Sequence, residues 1–301
     1  MSSVALSILP GLSEHLMEEE NILKKRFKIS LAQWSLHRSL QSRQLDHLDF
    51  AKKAADTFGI YAVEYVNQFF KDKATDLKYL AEMNSRAVDA GVKQLLIMID
   101  GEGELADPND IKRNEAVQNH HKWVDAAKIL GCHSIRVNAF GSTGDASALH
   151  ASAVDGLSRL ASYADPIGIN VIVENHGGLS SDGSWLAGVM KEINMANCGT
   201  LPDFGNFCIQ HGKNGKGEDT CLNEYDRYKG VEELLPYAGA VSAKSYDFDP
   251  QGNETKIDFA RMISIIKKSK YKGYLGIEYE GSRLSEDEGI KATKKLLETL
   301  I

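Results

Sequence analysis

NVIVENHGG, residues 170–178, carries the decisive pattern: three apolar residues, Val171 to Val173, run straight into Glu174, Asn175 and His176. A strand buried on both faces reads as a short, nearly unbroken apolar run. In a closed parallel barrel the polar exceptions gather at the strands' C-terminal ends. Working outward, such runs recur at KISLAQW (28–34), YAVEYV (61–66), QLLIMI (94–99), SIRVNAF (134–140), GTLPDF (199–204), AVSAKSY (240–246) and YLGIEYE (274–280). Apolar residues at helical spacing fill the intervals, as in LDFAKKAADTFG (48–59) and NEAVQNHHKWVDAAKILG (114–131). Gly59, Gly91, Gly131, Gly168 and Gly273 stand just before the next strand, where left-handed helix caps belong. Strand signals each followed by a helix signal, roughly 30 to 40 residues apart, predict an α/β fold, a single-domain (β/α)₈ barrel over 28–301. An open doubly wound sheet would place G-x-G-x-x-G after an early strand, and the sequence has none there.

A chain of 301 residues, 43% hydrophobic, supports one large core. The net charge of −7 disfavours a grip on phosphate backbones, so nucleic acid is not an expected partner. No run is long enough to span a bilayer. Cys132, Cys198, Cys208 and Cys221 form no C-x-x-C pair and read as buried or incidental thiols. Residues 1–27 read as an N-terminal extension: SSVALSILPGLS is mildly apolar without a basic start, and 14–27 reads as a charged lead-in helix. A cytoplasmic location is expected as the sequence stands, and a periplasmic one if the apolar stretch is the remnant of a secretion signal.

The polar residues at the strand ends are Gln33, Glu64, Asn67, Arg136, Asn138, Glu174, Asn175, His176, Asp203, Asn206, Ser242, Lys244, Glu278 and Glu280. Among them Glu174, Asp203 and Glu278 each follow apolar residues. Carboxylates converging in a low-dielectric mouth repel one another. A divalent cation removes the conflict, and oxygen ligands suit Mn²⁺ or Mg²⁺, with Co²⁺ and Zn²⁺ also admissible. The other reading pairs each acid with a basic neighbour, and Arg136 and Lys244 make that credible. His176 shares a face with Glu174, either at the metal or on substrate hydroxyls. His211 reads as a loop residue, and His120 and His121 as structural or surface positions in a helix. Trp34, His37, Phe69 and Phe70 follow the first two strands and would suit an aromatic wall for a sugar, although the core is the simpler home for any one of them.

At VIVENHGG, LPDFGNF and GIEYEG the chain resembles the sugar phosphate isomerase/epimerase family, the xylose isomerase-like TIM barrels, over roughly Lys28 to Ile301. The resemblance implies one divalent metal held by acids from the fifth, sixth and eighth strands, here Glu174, Asp203 and Glu278. Two positions depart from the family pattern: Ser242 stands where a histidine ligand is usual, ahead of a matching Lys244, and Asn206 stands where a histidine often follows the sixth-strand acid.

The resemblance further implies proton abstraction beside a carbonyl, with Glu174 and Glu278 on opposite faces of the carbon and Lys244 or His176 at the developing oxyanion. Trp34, Glu64, Arg136, Asn138, His176 and Asn206 are then the candidate substrate contacts. The expected partner is a small-molecule carbohydrate, and a homo-oligomer is compatible with outer-helix packing. Two rival readings stand beside an isomerase or epimerase: a lyase acting on a keto-inositol or 3-keto-glycoside, and a non-catalytic sugar-binding barrel. The family's endonuclease branch fits least, for want of its larger ligand set. No Arg/Lys cluster at the mouth marks a phosphate site.

Overall fold

The computed structural model describes residues 26–301. The expected lead-in helix lies outside them except for its last two positions, and Phe27 already belongs to the first strand. The strands are β1 Phe27–Ala32, β2 Ala62–Val66, β3 Lys93–Met98, β4 Ser134–Asn138, β5 Asn170–Glu174, β6 Cys198–Leu201, β7 Cys208–Lys213, β8 Asp219–Glu224, β9 Val241–Ser245 and β10 Gly273–Tyr279. Eight of them form one sheet in the order β6-β5-β4-β3-β2-β1-β10-β9, every pair parallel.

The seam between β6 and β9 closes through two parallel bridges, Thr200 with Ala238 and Asp203 with Ser242. Pro202 has no N–H to give and β6 stops before it, yet its carbonyl still accepts from Ser242 N at 3.0 Å. Between the strands run α1 Phe50–Phe58, α2 Leu77–Asp89, α3 Asp110–Ile129, α4 Ala146–Ala164, α5 Gly183–Ile193, α6 Arg227–Leu234, α7 Phe259–Lys268 and α8 Glu286–Leu300.

Strand alternation divides the core into two layers. Val171 and Val173 face outward with Leu31, Val63, Ile135, Ala243 and Ile277 against the helices. Ile172 faces inward with Ala32, Val66, Leu96, Met98, Leu201 and Ala240. Glu174 lies two residues beyond Ile172, so the alternation that seats an isoleucine inside the barrel also carries a carboxylate there. The helices lie down on their apolar stripes: α7 is N-capped by Asp258 and buries Phe259, Met262, Ile263 and Ile266, each worth about 2 kcal/mol on burial.

Gly59, Gly91, Gly131 and Gly168 adopt positive φ, as their cap positions require. Gly273 does not. It opens β10, and the chain leaves α7 through an extended Ser269. Gly156 answers a different need, for a Cβ there would stand 2.0 Å from the Leu105 carbonyl where the β3–α3 loop crosses α4.

The cysteine reading needs correction. Cys132 and Cys198 are free, but Cys208 and Cys221 form a disulfide, with Cα atoms 5.7 Å apart. It ties together β7 and β8, an antiparallel hairpin that follows the β6 end. The hairpin escapes a periodicity search because QHGKNGKGEDT is polar throughout, and so a sequence separation of 13 looks incidental.

Beneath the mouth, Gln33 Oε1 accepts from Val66 N at 2.9 Å and its Nε2 lies 2.8 Å from His47 Nδ1. His47 stacks on Phe70 with centroids 4.6 Å apart. Burial, against a weaker pull from Asp46, lowers its pKa to about 4. A base whose folded pKa is depressed folds neutral. Its contribution is complete above the ordinary value of about 6.5 and drains away as pH falls toward 4, on the order of 3 kcal/mol in all. The His47→Gln variant should therefore lose less melting temperature than the wild type between pH 7 and pH 4.5; parallel melting-versus-pH curves would refute this assignment.

Candidate active site

Glu174 at the end of β5, Asp203 just past Pro202, and Glu278 near the end of β10 each bring one carboxylate oxygen within 4.8 Å of the others. All three are buried. Asp203 is set by its neighbours. Asn175 accepts from Asp203 N at 2.7 Å and donates to the carbonyls of Asp203 and Asn206, both at 3.1 Å. Asp203 Oδ1 accepts from the N–H groups of Gly205 and Asn206 at 2.8 Å, a local turn that short acidic side chains form readily. Its Oδ2 lies 2.6 Å from Ser242 Oγ, which is also 2.9 Å from Glu278 Oε2. Ser242 thus bridges two members of the triad.

Two cations border the triad. Arg136 on β4 sets Nε 2.7 Å from Glu174 Oε2 and Nη1 2.9 Å from Asp100 Oδ1. Lys244 on β9 places Nζ 3.4 Å from Glu278 Oε1, 3.3 Å from Glu280 Oε1 and 3.2 Å from Asn206 Oδ1. Convergence and ion pairing, alternatives from sequence, thus occur together. Asp203 is the exception: among the described residues no Lys, Arg or His forms an ion pair with it.

Electrostatics says what the cluster lacks. Burial pushes Glu174 and Asp203 up to about 7, against the opposing pulls of Arg136 and Lys244 respectively. Glu64 also rises to about 7, from burial first and then repulsion by Glu278 and Glu174. Glu278 goes the other way: burial works to raise it, but Lys244, Arg136 and the Ser242 hydroxyl outweigh burial. Burial likewise opposes the Lys244 ammonium, yet Asp203, Glu278, Glu280 and Glu174 hold its pKa well above the usual lysine value.

Four buried carboxylates therefore face two buried cations, an excess of negative charge that a low-dielectric interior does not tolerate. A hydroxyl carries one proton, so Ser242 can satisfy Asp203 and Glu278 together only when one of them holds a proton or a cation lies between them. Among the described residues Glu174 Oε2 has no aligned hydrogen-bond donor, and its 2.7 Å contact with Arg136 Nε is an ion pair off the hydrogen-bond axis. A divalent cation fits this donor set: three carboxylates with oxygens at short mutual range, and an excess of negative charge that it would cancel.

Of the other sequence candidates, Asn206 donates to Glu174 Oε1 at 3.0 Å and so belongs to the cluster. Asn138 donates to Asp100 Oδ1 at 2.8 Å. Glu64 sits inside the barrel with 1% exposure, where Ser30 Oγ donates to its Oε1 at 2.6 Å. The missing side chain of Gly276 makes room for it, since a Cβ there would stand 2.5 Å from Glu64 Oε1. His176 is exposed on the rim, just beyond β5. Trp34 and Phe69 are half-buried over the inward apolar layer, ring centroids 6.0 Å apart, and His37 stacks on Trp34. Phe70 is core, packed edge-on against Trp123. His211 is exposed in β7, on a strand and not in a loop. A 710 Å³ cavity lined by Leu235, Pro236, Ile265 and Tyr271 opens near the starts of β9 and β10, away from this cluster.

Asp100, which links Arg136 to Asn138, escapes the sequence reading. Its signal is present: it stands immediately after the apolar run QLLIMI, as Glu174 follows VIV.

Among curated relatives, the chain is 38% identical over 66 residues to the C-glycoside deglycosidase alpha subunit of Arthrobacter globiformis, covering 21% of this chain and 19% of that protein. It is 27% identical over 180 residues to a probable endonuclease 4 of Haloarcula marismortui, covering 56% and 61%. The chain therefore spans less than two thirds of either relative. Solved structures that share the fold include D-psicose 3-epimerase from Clostridium cellulolyticum H10 (TM-score 0.70, 12% identity, 91% of this chain and 99% of that one). The 3-keto-D-glucoside 4-epimerase of E. coli (0.63, 13%, 91% and 99%) and the IOLI protein with a bound zinc atom (0.65, 14%, 91% and 98%) are also similar. Residues 51–300 match the family described as xylose isomerase-like TIM barrel, and the chain, with its closed parallel barrel and acids at the strand ends, belongs to that family.

Proposed function

We propose that this protein is a metal-dependent sugar isomerase or epimerase that moves a proton at the carbon beside a substrate carbonyl. The observation that carries the reading is the convergence of Glu174, Asp203 and Glu278 between Arg136 and Lys244. Glu174, Asp203 and Glu278 would hold the cation, which when bound supplies Lewis-acid polarisation of substrate oxygens. The donors are all oxygens, with a hydroxyl at Ser242, so a hard cation, Mn²⁺ or Mg²⁺, suits the site better than Zn²⁺ or Co²⁺.

Glu174 and Glu278 reach the mouth from β5 and β10 and would act as a pair on opposite faces of a carbon, the ionised one taking a proton and the other, once protonated, returning one. Lys244 keeps its ammonium charged beside them and would stabilise the oxyanion that develops as the proton leaves. Arg136 orients Glu174 without competing for the proton, since a guanidinium stays charged. Trp34 and Phe69 offer an apolar face to the sugar's C–H groups, and Asn138, His176 and Asn206 offer hydrogen bonds to its hydroxyls. The similarity to a D-psicose epimerase, a 3-keto-D-glucoside epimerase and a C-glycoside deglycosidase subunit supports a ketose or keto-sugar substrate.

A lyase reading shares the first step, and the similarity to a deglycosidase subunit gives it one specific support. NMR of the product separates the two, because an epimer keeps every oxygen and an elimination product loses water or an aglycone. Among the described residues no helix is long and apolar enough to cross a membrane. The Cys208–Cys221 disulfide favours the periplasmic location over the cytoplasmic one, since such bonds persist in oxidising compartments.

The Glu174→Gln variant should lose about 100-fold or more of the exchange of a ketose C–H proton with D₂O, read by NMR; undiminished exchange dismisses the proton-transfer scheme. Calorimetric titration of EDTA-treated protein with Mn²⁺ should show one site that Asp203→Asn weakens at least tenfold, with the fold kept by circular dichroism. Sugar binding indifferent to both EDTA and Glu174→Gln would instead favour a non-catalytic sugar-binding barrel.

A further inference from the structure

One carboxylate outside the triad is held more firmly than a rim position explains. Asp100 lies two residues past β3, and a single side chain grips its backbone on both sides: Asn67 Nδ2 donates to the Asp100 carbonyl at 2.9 Å, and Asp100 N donates to Asn67 Oδ1 at 3.1 Å. Its Oδ1 accepts from Arg136 Nη1 at 2.9 Å and from Asn138 Nδ2 at 2.8 Å. Among the described residues its Oδ2 meets only Gln68 Nε2, at a long 3.4 Å, and the side chain is 24% exposed. One oxygen fixes the group, and the other has lone pairs left for a further donor. Burial favours the acid form, but the charge and hydrogen bond of Arg136, with help from Asn138, hold the carboxyl well below its usual range. It is therefore an acceptor at neutral pH.

Arg136 sets the distance from Asp100 to the triad. The guanidinium that touches Asp100 through Nη1 touches Glu174 through Nε at 2.7 Å. The Asp100 carboxylate, held to the guanidinium through Oδ1, thus stands about one planar group away from the glutamate assigned to proton transfer. A sugar hydroxyl a few bonds along the chain from the reacting carbon falls at such a spacing. The segment Asn67–Lys73 that supplies Asn67 and Gln68 also supplies Phe69, which meets Trp34 over the barrel interior. A fixed carboxylate and planar amides beside an aromatic face are the elements that recognise vicinal hydroxyls on one edge of a sugar and its C–H groups on the other.

We propose that Asp100 is a specificity-determining residue whose open carboxylate oxygen accepts hydrogen bonds from the hydroxyls of a polyhydroxylated substrate and thereby fixes which carbon is presented to Glu174. The proposal rests on the reading of Glu174 as the proton-transfer base. A purely structural Asp100 would act through Arg136 on Glu174, so its loss would fall on kcat.

The test is steady-state kinetics of the metal-loaded wild type, Asp100→Ala and Asp100→Asn on D-fructose, D-psicose, D-tagatose and a methyl 3-keto-glucoside, with C–H exchange in D₂O as a second readout. The expected result is a KM raised about tenfold or more, kcat largely kept, and weaker discrimination among the sugars, with Asp100→Glu restoring part of the affinity. Should Asp100→Ala fail to fold, the isosteric Asp100→Asn gives the same reading. Unchanged KM and sugar ranking, or a loss confined to kcat, overturns the proposal while Glu174→Gln still abolishes exchange. A wild type that exchanges no proton with any of the four sugars overturns the base assignment and this proposal with it.

Discussion

The mouth of this barrel is governed by a charge imbalance. Among the described residues Glu64, Glu174, Asp203 and Glu278 are buried with Arg136 and Lys244 as the buried cations beside them. An unpaired charge in a protein interior costs several kcal/mol, so protons or a cation must make up the difference. The raised pKa values of three of the acids and the depressed one of Glu278 are two sides of that compromise. Glu278 stays ionised because Lys244 and Ser242 are its neighbours. Asp203 has, among the described residues, a hydroxyl and two backbone N–H groups as its donors, and it bears the repulsion.

Several local features exist to hold this unfavourable arrangement in place. Pro202 ends β6 early, which frees Asp203 to turn into the mouth while the Ser242 backbone still closes the seam. Asn175 locks the β5 end to the turn after β6 through three hydrogen bonds. The disulfide-tied hairpin begins two residues after Asn206, so a covalent cross-link restrains the segment whose side chain reaches both Glu174 and Lys244. Each of these restraints acts on the backbone, which leaves the side chains free to carry the chemistry.

The barrel was legible because its eight strands are buried on both faces and therefore read as apolar runs with polar ends. Glu174, Asp203 and Glu278 were legible for the same reason, each following apolar neighbours. Features whose signal is not periodic were harder to find. The β7–β8 hairpin is solvated on both faces and shows no alternation, so its cysteines looked unrelated. Gly273 sits where a cap belongs, yet the chain leaves α7 through an extended Ser269 and needs no left-handed residue there. Asp100 follows its apolar run QLLIMI as directly as Glu174 follows VIV, and what sets it apart, its grip on Arg136 and Asn138, is a contact between strands that no local pattern encodes. Sequence could not rank convergence against ion pairing, for that depends on side-chain reach across neighbouring strands.

The two cations are not interchangeable. Arg136 spans Glu174 and Asp100 with one rigid plane, a task for two fixed donors that a flexible ammonium performs poorly. It never yields its proton, so its influence on Glu174 is constant across pH. Lys244 is a point charge among Glu278, Glu280 and Asn206, and burial alone would strip its proton. The surrounding carboxylates prevent this. The acids that seem to need neutralising are thus what keep Lys244 charged, and removing any one of them would weaken the cation as well as the anion cluster. The site's charges stand or fall together, which is why Ser242, neutral and able to donate only one proton, can occupy the centre of the cluster without destroying it.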